Sequence, residues 1–320
     1  MGDYFMRSPE QEFCHTRAAG VSKGRSMSGP NPLADIPLSE PEDLDCVRRA
    51  QGGDREALEQ LIARHQRWIY NIVLRMLYQP QDAEDTTQEI LIKLITKLST
   101  FEGRSSFRTW LYRIAVNHVL NVKRRAWEEH LDFAEYGRGL DETPDMDLPD
   151  PHSVPADVQL IVQEAKIGCT SGMLLCLDRE QRLVYILGEI FGVTDLVGAE
   201  LLDIGRDSFR QKLARARRDL HAFMHDKCGL VNTANPCRCA KKTQGFARAG
   251  YLNPEKLLFA RERIVSVHQV AARKCDDLEA LDEAYGAIYR DHPFHDAPDF
   301  VASLRSLLDH TNFKSLLELE

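Results

Sequence analysis

Between Glu42 and Trp127 apolar residues recur at three- and four-residue intervals with hardly a break, the pattern of packed amphipathic helices. Asp54 suits the N-cap of "REALEQLIARHQRWIYNIVLRML", Pro80 ends that helical region, and Asp82 opens "DAEDTTQEILIKLITKL". After "STFEGRSS" a further helix is expected through "SFRTWLYRIAVNHVLNVKRR", residues 106–125. Helical projection puts Leu111, Ala115, His118, Val119 and Val122 in one apolar sector, which packs inward. It gathers Trp110, Arg113, Asn117, Asn121 and Arg124 into another stripe, about 80° wide, left to meet something outside the core.

Helical periodicity resumes from Ala156 to about Lys227. It runs through "ADVQLIVQEAKIGC" and "DREQRLVYILGEIF", then through two short helices split by "DIGRD". The stretch "TDLVGAELLDIGRDSFRQKLARARRDL" has helix-turn-helix spacing, with a tight turn at Asp203–Arg206 containing Gly205. In its second helix Phe209, Leu213, Ala216 and Leu220 face the core, which leaves Ser208, Gln211, Lys212, Arg215 and Arg218 outside. Side chains of that kind on an exposed helix suit base edges in the major groove, and the flanking Arg206, Arg210 and Arg217 suit phosphates. The stripe around Trp110 has a different chemistry. An aromatic ring beside Arg and Asn suits unstacked bases, at about 1–3 kcal/mol per stacked base, with Lys123, Arg124 and Arg125 nearby for phosphates. A third surface is acidic. With Leu91, Leu94, Ile95 and Leu98 turned inward, Asp82, Asp85, Glu89 and Lys93 line up outside, and Ile92 beside them suits a protein contact. The bland alternative for each surface is a solvated polar face; two basic helices in one chain, one suited to duplex and one to melted strand, weigh against it.

The net charge of −8 seems wrong for a nucleic-acid binder until it is located. Residues 128–150 alone carry nine acids and one base, so the remainder is neutral and leaves room for basic surfaces. That segment also holds Pro144 and Pro149, followed by Pro151 and Pro155, and its composition marks it as a linker that buries no core. Residues 1–40, rich in Gly, Ser and Pro without apolar period, read as a disordered tail. No apolar run approaches the roughly 20 residues of a membrane span, and the start has no apolar segment of the secretory kind, so a cytoplasmic location is expected. The eight cysteines read as reduced thiols or metal ligands.

His225, Cys228, Cys237 and Cys239, with His221 nearby, could form a tetrahedral zinc site, structural or sensory; packed or free thiols are the alternative, because Cys-x-Cys is an imperfect spacing. Cys169 and Cys176 read as structural. Asn253 and Pro254 suit the start of a last helix over "EKLLFARERIVSVHQVAARK", and "RDHPFHD", with His292 and His295, reads as a surface loop. The expected architecture is all-α. It comprises a tail (1–40), a first helical domain (41–127), an acidic linker (128–156), a helix-turn-helix domain (157–227) and a Cys-containing helical C-terminal extension (228–320).

The stretch "DAEDTTQEILIKLITKLSTFEGRSSFRTWLYRIAVNHVLNVKRR" resembles region 2 of bacterial extracytoplasmic-function sigma factors, and "LDREQRLVYILGEIFGVTDLVGAELLDIGRDSFRQKLARARRDL" resembles their region 4. The order is right and the acidic segment lies where the family has its linker. The resemblance implies that Asp82, Glu84, Asp85, Gln88, Glu89 and Ile92 dock on the clamp helices of the largest polymerase subunit. It implies that the loop "STFEGRSS" and Phe101 capture a flipped base of the minus-10 element, which Trp110, Arg113, Asn117, Asn121, Arg124 and Arg125 help read and melt. Arg206, Ser208, Arg210, Gln211, Lys212 and Arg215 match the minus-35 recognition helix. The linker would run through the polymerase active-site cleft with a charge that mimics RNA. Implied partners are RNA polymerase core, including its flap, promoter DNA and an anti-sigma factor, with no membrane. One departure is "GVTDLVGAELL", which lacks the family's acidic pair at the first helix of the region 4 motif. Some members have Cys-rich C-terminal extensions that sense metal, which raises regulation by the extension. The alternative is a stand-alone helix-turn-helix regulator sensing metal or redox state. No phosphate loop, nucleophile elbow or zincin motif is present, so no enzyme is expected and no cofactor is required.

Overall fold

Helix α1 (Pro41–Gln51) and helix α2 (Arg55–Leu77) are separated by a turn at Gly53, and Asp54 caps α2 by accepting from the Ala57 amide at 3.2 Å. The structure is a computed structural model that describes residues 41–124, 128, 131–145, 156–259, 285–290, 292 and 294–310. The expected tail, Arg125, residues 146–155 of the expected linker and residues 260–284 lie outside that set. All described residues belong to one compact unit, and among them every regular element is helical.

The break after α2 is made by Tyr78, at φ 69°, and Pro80 is the first residue of α3 (Pro80–Lys97). The expectation that Pro80 ends one helix and Asp82 opens the next is thus corrected: proline lacks an amide hydrogen, and a helix's first turn needs none. After a 3₁₀ turn at Leu98–Thr100, α4 (Phe107–Asn121) starts on Ser106, whose hydroxyl accepts from the Thr109 amide at 3.0 Å. Helix α2 is the hub of this part, packing on α1, α3 and α4 with Leu58, Leu61, Ile62, Ile69, Ile72 and Met76 fully buried.

The acidic segment is corrected most. It forms helix α5 (Phe133–Glu142), capped by Asp132, with Leu140 buried. Phe133 and Tyr136 pack on Phe223 at 5.1 and 6.0 Å between ring centres, and the Tyr136 hydroxyl donates to the Cys169 carbonyl at 2.7 Å. Charge dominates the composition, yet Phe133, Tyr136 and Leu140 are spaced by 3 and 4 and give the helix an apolar edge.

Helix α6 (Ala156–Leu175) leads to α7 (Arg179–Tyr185), capped by Asp178 and extended by a π turn at Ile186–Ile190. Then come α8 (Asp195–Leu202), capped by Thr194, and α9 (Arg206–Lys227). The α8–α9 turn lies where expected, with Asp203 as its left-handed residue, at φ 55°, and Gly205 at an ordinary φ of −69°; the second helix, expected to be short, runs 22 residues. The glycine that matters is Gly198: a Cβ there would sit 2.3 Å from the Phe209 ring, so its absence lets α8 and α9 close together.

Helix α10 (Cys239–Arg248) packs on α6, and Lys242 donates to the Leu140 carbonyl at 2.9 Å, tying down the end of α5. The last helix expected from Pro254 does not begin there. Residues 254–259 form turns, because the Asn253 side chain accepts from the Glu255 amide and the Glu164 carboxylate accepts from the Leu258 and Phe259 amides. A helical stretch at 285–290 and helix α11 (Phe300–His310) complete the described chain.

Candidate nucleic-acid interface

Helix α4 divides as its periodicity requires. Phe107, Leu111, Tyr112, Ala115, Val116 and Val119 are buried, while Asn117, Asn121 and Arg124 are exposed. Within the expected minus-10 set the structure separates three environments. Phe101 is buried, and Trp110 is half-buried against Phe101 and Phe107, with ring centres 5.4 and 5.8 Å away. Asn117, Asn121 and Arg124 stand in solvent. Arg113 is turned to another part of the chain: its Nη2 donates to the Glu200 carbonyl at the end of α8, at 2.7 Å.

His118, placed in the apolar sector by periodicity, sits at that sector's edge. Lys93 Nζ donates to its Nδ1 at 2.6 Å, because an ammonium only donates. Its Nε2 therefore carries the proton and donates to Glu89 at 2.9 Å, fixing α4 to α3. On α3, Asp85 and Glu89 are exposed, whereas Asp82, Glu84, Gln88 and Ile92 are half-buried, and Ile92 also packs on the core.

Helix α9 turns Phe209, Ala216 and Leu220 inward and leaves Leu213 half-buried. Gln211, Arg215 and Arg218 are exposed, and Ser208 is half-buried. Three of the basic residues already hold acids. Arg206 and Arg210 both grip Asp195 of α8, with Arg206 at 3.1 Å, and Lys212 reaches Glu180 at 2.6 Å. Desolvation works to raise the Asp195 carboxyl, but these two guanidinium groups hold it below the usual carboxylate range.

Sequence reasoning missed a buried guanidinium node. Arg182, on α7, donates to the Met76 carbonyl at the end of α2, to the Leu174, Leu175 and Leu177 carbonyls, and to Glu128, at 2.7–3.2 Å. Arg179 pairs with the same carboxylate at 2.8 Å and donates to the Val122 carbonyl at the end of α4. Burial raises the Glu128 carboxyl, and the two arginines more than reverse it. The signal available was the pair of arginines three apart beside the apolar run "LVYIL", where a solvated face would carry no apolar neighbours.

The expected metal residues are only partly brought together. Cys228, Cys237 and Cys239 neighbour each other and the thiol of Cys169, which had been read as merely structural. Burial pushes Cys228 up to about 11 and Cys239 up to about 12, so both stay protonated at neutral pH. His225 instead shares a hydrogen bond with the Tyr285 hydroxyl at 3.2 Å. Among the described residues no group of three or more His, Cys, Asp or Glu side chains is placed to hold a metal ion.

The expected surface loop "RDHPFHD" is also corrected. His292 is buried with Nε2 2.7 Å from the Thr170 hydroxyl, and the His295 backbone is held by Asn71.

Residues 61–129 match the family described as Sigma-70 region 2. The chain is 27% identical over 186 residues to the RNA polymerase sigma-H factor of Pseudomonas aeruginosa, covering 56% of this chain and 92% of that protein. It is 30% identical over 180 residues to the ECF RNA polymerase sigma-E factor of Escherichia coli, covering 55% of this chain and 90% of that one. A solved structure of CnrH in complex with the cytosolic domain of CnrY aligns at 22% identity and a TM-score of 0.39, over 58% of this chain and 98% of that one. With the E. coli relative matched over nearly its whole length, and with residues 61–129 matching region 2 of that family, the chain belongs to the extracytoplasmic-function (ECF) family of RNA polymerase sigma factors.

Proposed function

We propose that this sigma factor docks on RNA polymerase core through the acidic face of α3 and reads two separate promoter elements, α9 the minus-35 and α4 the minus-10. The observation that carries this reading is a division of labour between exposed faces. Asn117 and Asn121 stand out from α4, with Arg124 exposed just beyond its end, and Gln211, Arg215 and Arg218 stand out from α9, each helix opposing these to a buried apolar face. The α9 face carries hydrogen-bonding and cationic groups in major-groove style, and the α4 face has amides beside an aromatic cluster, as melted strands require.

The role is one of positioning and binding, and sigma factors as a family are not enzymes. Among the described residues no helix is long and apolar enough to cross a membrane. Asp85 and Glu89, exposed on α3, are the groups best placed for polymerase contact. A stand-alone regulator would have no use for that face, so a pull-down with core polymerase separates the two readings. Retention of the chain, lost on Asp85→Lys with Glu89→Lys, supports docking; no retention of the wild-type chain supports the regulator.

A further inference from the structure

The two reading helices are held close together. Arg113 of α4 touches Glu200 of α8, and Arg206, where α9 begins, is only six residues further along. Even a fully extended chain could carry Arg206 no more than about 22 Å from Glu200. Nine helical residues more bring Arg215 within roughly 35 Å. Elements centred about 25 base pairs apart lie about 85 Å apart on duplex DNA. The arrangement described here therefore cannot engage both elements at once, and Arg113 is occupied besides.

The segment after residue 285 lies across this closed junction. On the α2 side, Asn71 clamps the His295 backbone from both directions: Nδ2 donates to the His295 carbonyl at 2.8 Å and Oδ1 accepts from its amide at 2.9 Å. On the α7 side, Arg290 pairs with Glu189 at 2.8 Å. Phe294 fills the gap between the two, with ring centres 5.0 Å from Trp68 and 5.2 Å from Phe191. One segment thus grips both halves at once. Its hold is also reversible in principle: Glu189 Oε2 is already satisfied by Arg217 of α9 at 2.7 Å, so losing Arg290 leaves no orphaned carboxylate.

We propose that residues 285–290 and 294–305 form a latch in cis that keeps the sigma factor closed and unable to use a promoter, and that transcription requires its displacement. The shared carboxylate of Glu189 links the latch directly to the minus-35 helix. The proposal rests on the assignment of α4 and α9 to two promoter elements.

The test uses full-length protein carrying Arg290→Ala or Phe294→Ala. Small-angle scattering reads closure without polymerase, and transcription by core polymerase from a plasmid pool with randomised upstream sequence reads promoter use. Release should enlarge the radius of gyration and raise transcript yield roughly ten-fold. An unchanged radius, or a larger radius without more transcript from a wild-type protein that already binds core and transcribes, would overturn the latch. Failure of wild type and variants alike to bind core would count against the sigma assignment instead, while the radius still reports on closure. Arg290 is half-exposed, so its variant keeps the fold if Phe294→Ala does not.

Discussion

Arg113 on α4 donates to the carbonyl of Glu200 on α8, 87 residues later, so a side chain assigned to the minus-10 element is spent on the helix that precedes the minus-35 reader. The contact ties the first helical module to the helix-turn-helix, and the proposed reading of promoter DNA would require Arg113 to give it up.

Asn117 and Asn121 are exposed, so their removal tests reading without disturbing the core. Asn117→Ala with Asn121→Ala should abolish promoter opening, measured by permanganate reactivity of unpaired thymines, while core binding and thermal stability stay at wild-type levels. Equal loss of stability would mean that the two amides hold the fold. Trp110→Ala should also prevent opening but at some cost in stability, since the ring packs on Phe101 and Phe107.

Arg215 stands free of α9 in solvent, whereas Arg210 must first leave Asp195. Arg215→Ala should weaken binding to promoter duplex and reduce the slope of log affinity against log salt by about 1 if it meets a phosphate. An unchanged affinity and slope would remove it from the interface.

Arg182 satisfies four backbone carbonyls and one carboxylate in the interior. Arg182→Ala removes a donor from each of them, with Arg179 still holding Glu128, and should lower stability by about 3–5 kcal/mol in urea unfolding through the buried carbonyls it leaves short of a partner. Gly198→Ala drives a methyl group into the Phe209 ring and should cost about 1–3 kcal/mol, with loss of minus-35 binding.

Burial, aided by the nearby charges of Arg75 and His295, pushes His292 down to about 3, from 6.5 when unfolded. The folded state thus prefers the neutral ring, which donates to Thr170. Its contribution is complete above about 6.5 and is lost as pH falls toward 3. Urea midpoints should therefore fall between pH 7 and pH 5, and His292→Asn should flatten that dependence. A variant as pH-sensitive as wild type would place the titration elsewhere.

Local periodicity made the helices and their outward faces legible. Phe209, Ala216 and Leu220 were assigned inward and Asn117 and Asn121 outward by spacing alone, because each helix buries one face whatever it packs on. Pairings across the chain were not legible in this way. Asn71 and His295 are 224 residues apart, and nothing in either neighbourhood announces the other. Trp68, Asn71 and Arg75, spaced by 3 and 4 on α2, did form a readable stripe of the residue types that dock partners, but the partner proved to be the chain's own C-terminal segment. Helix α5 was hidden for another reason: nine acids around it outweighed three well-spaced apolar groups in any compositional reading.

Run-off transcription with purified core polymerase on a pool of promoters tests the central claim most directly. The account predicts discrete transcripts that require this chain, vanish with Asn117→Ala and Asn121→Ala, and share paired upstream motifs about 25 base pairs apart, centre to centre. Duplex binding with no transcript from core polymerase on any template, by the wild-type chain and by the latch-released Arg290→Ala variant alike, would contradict it.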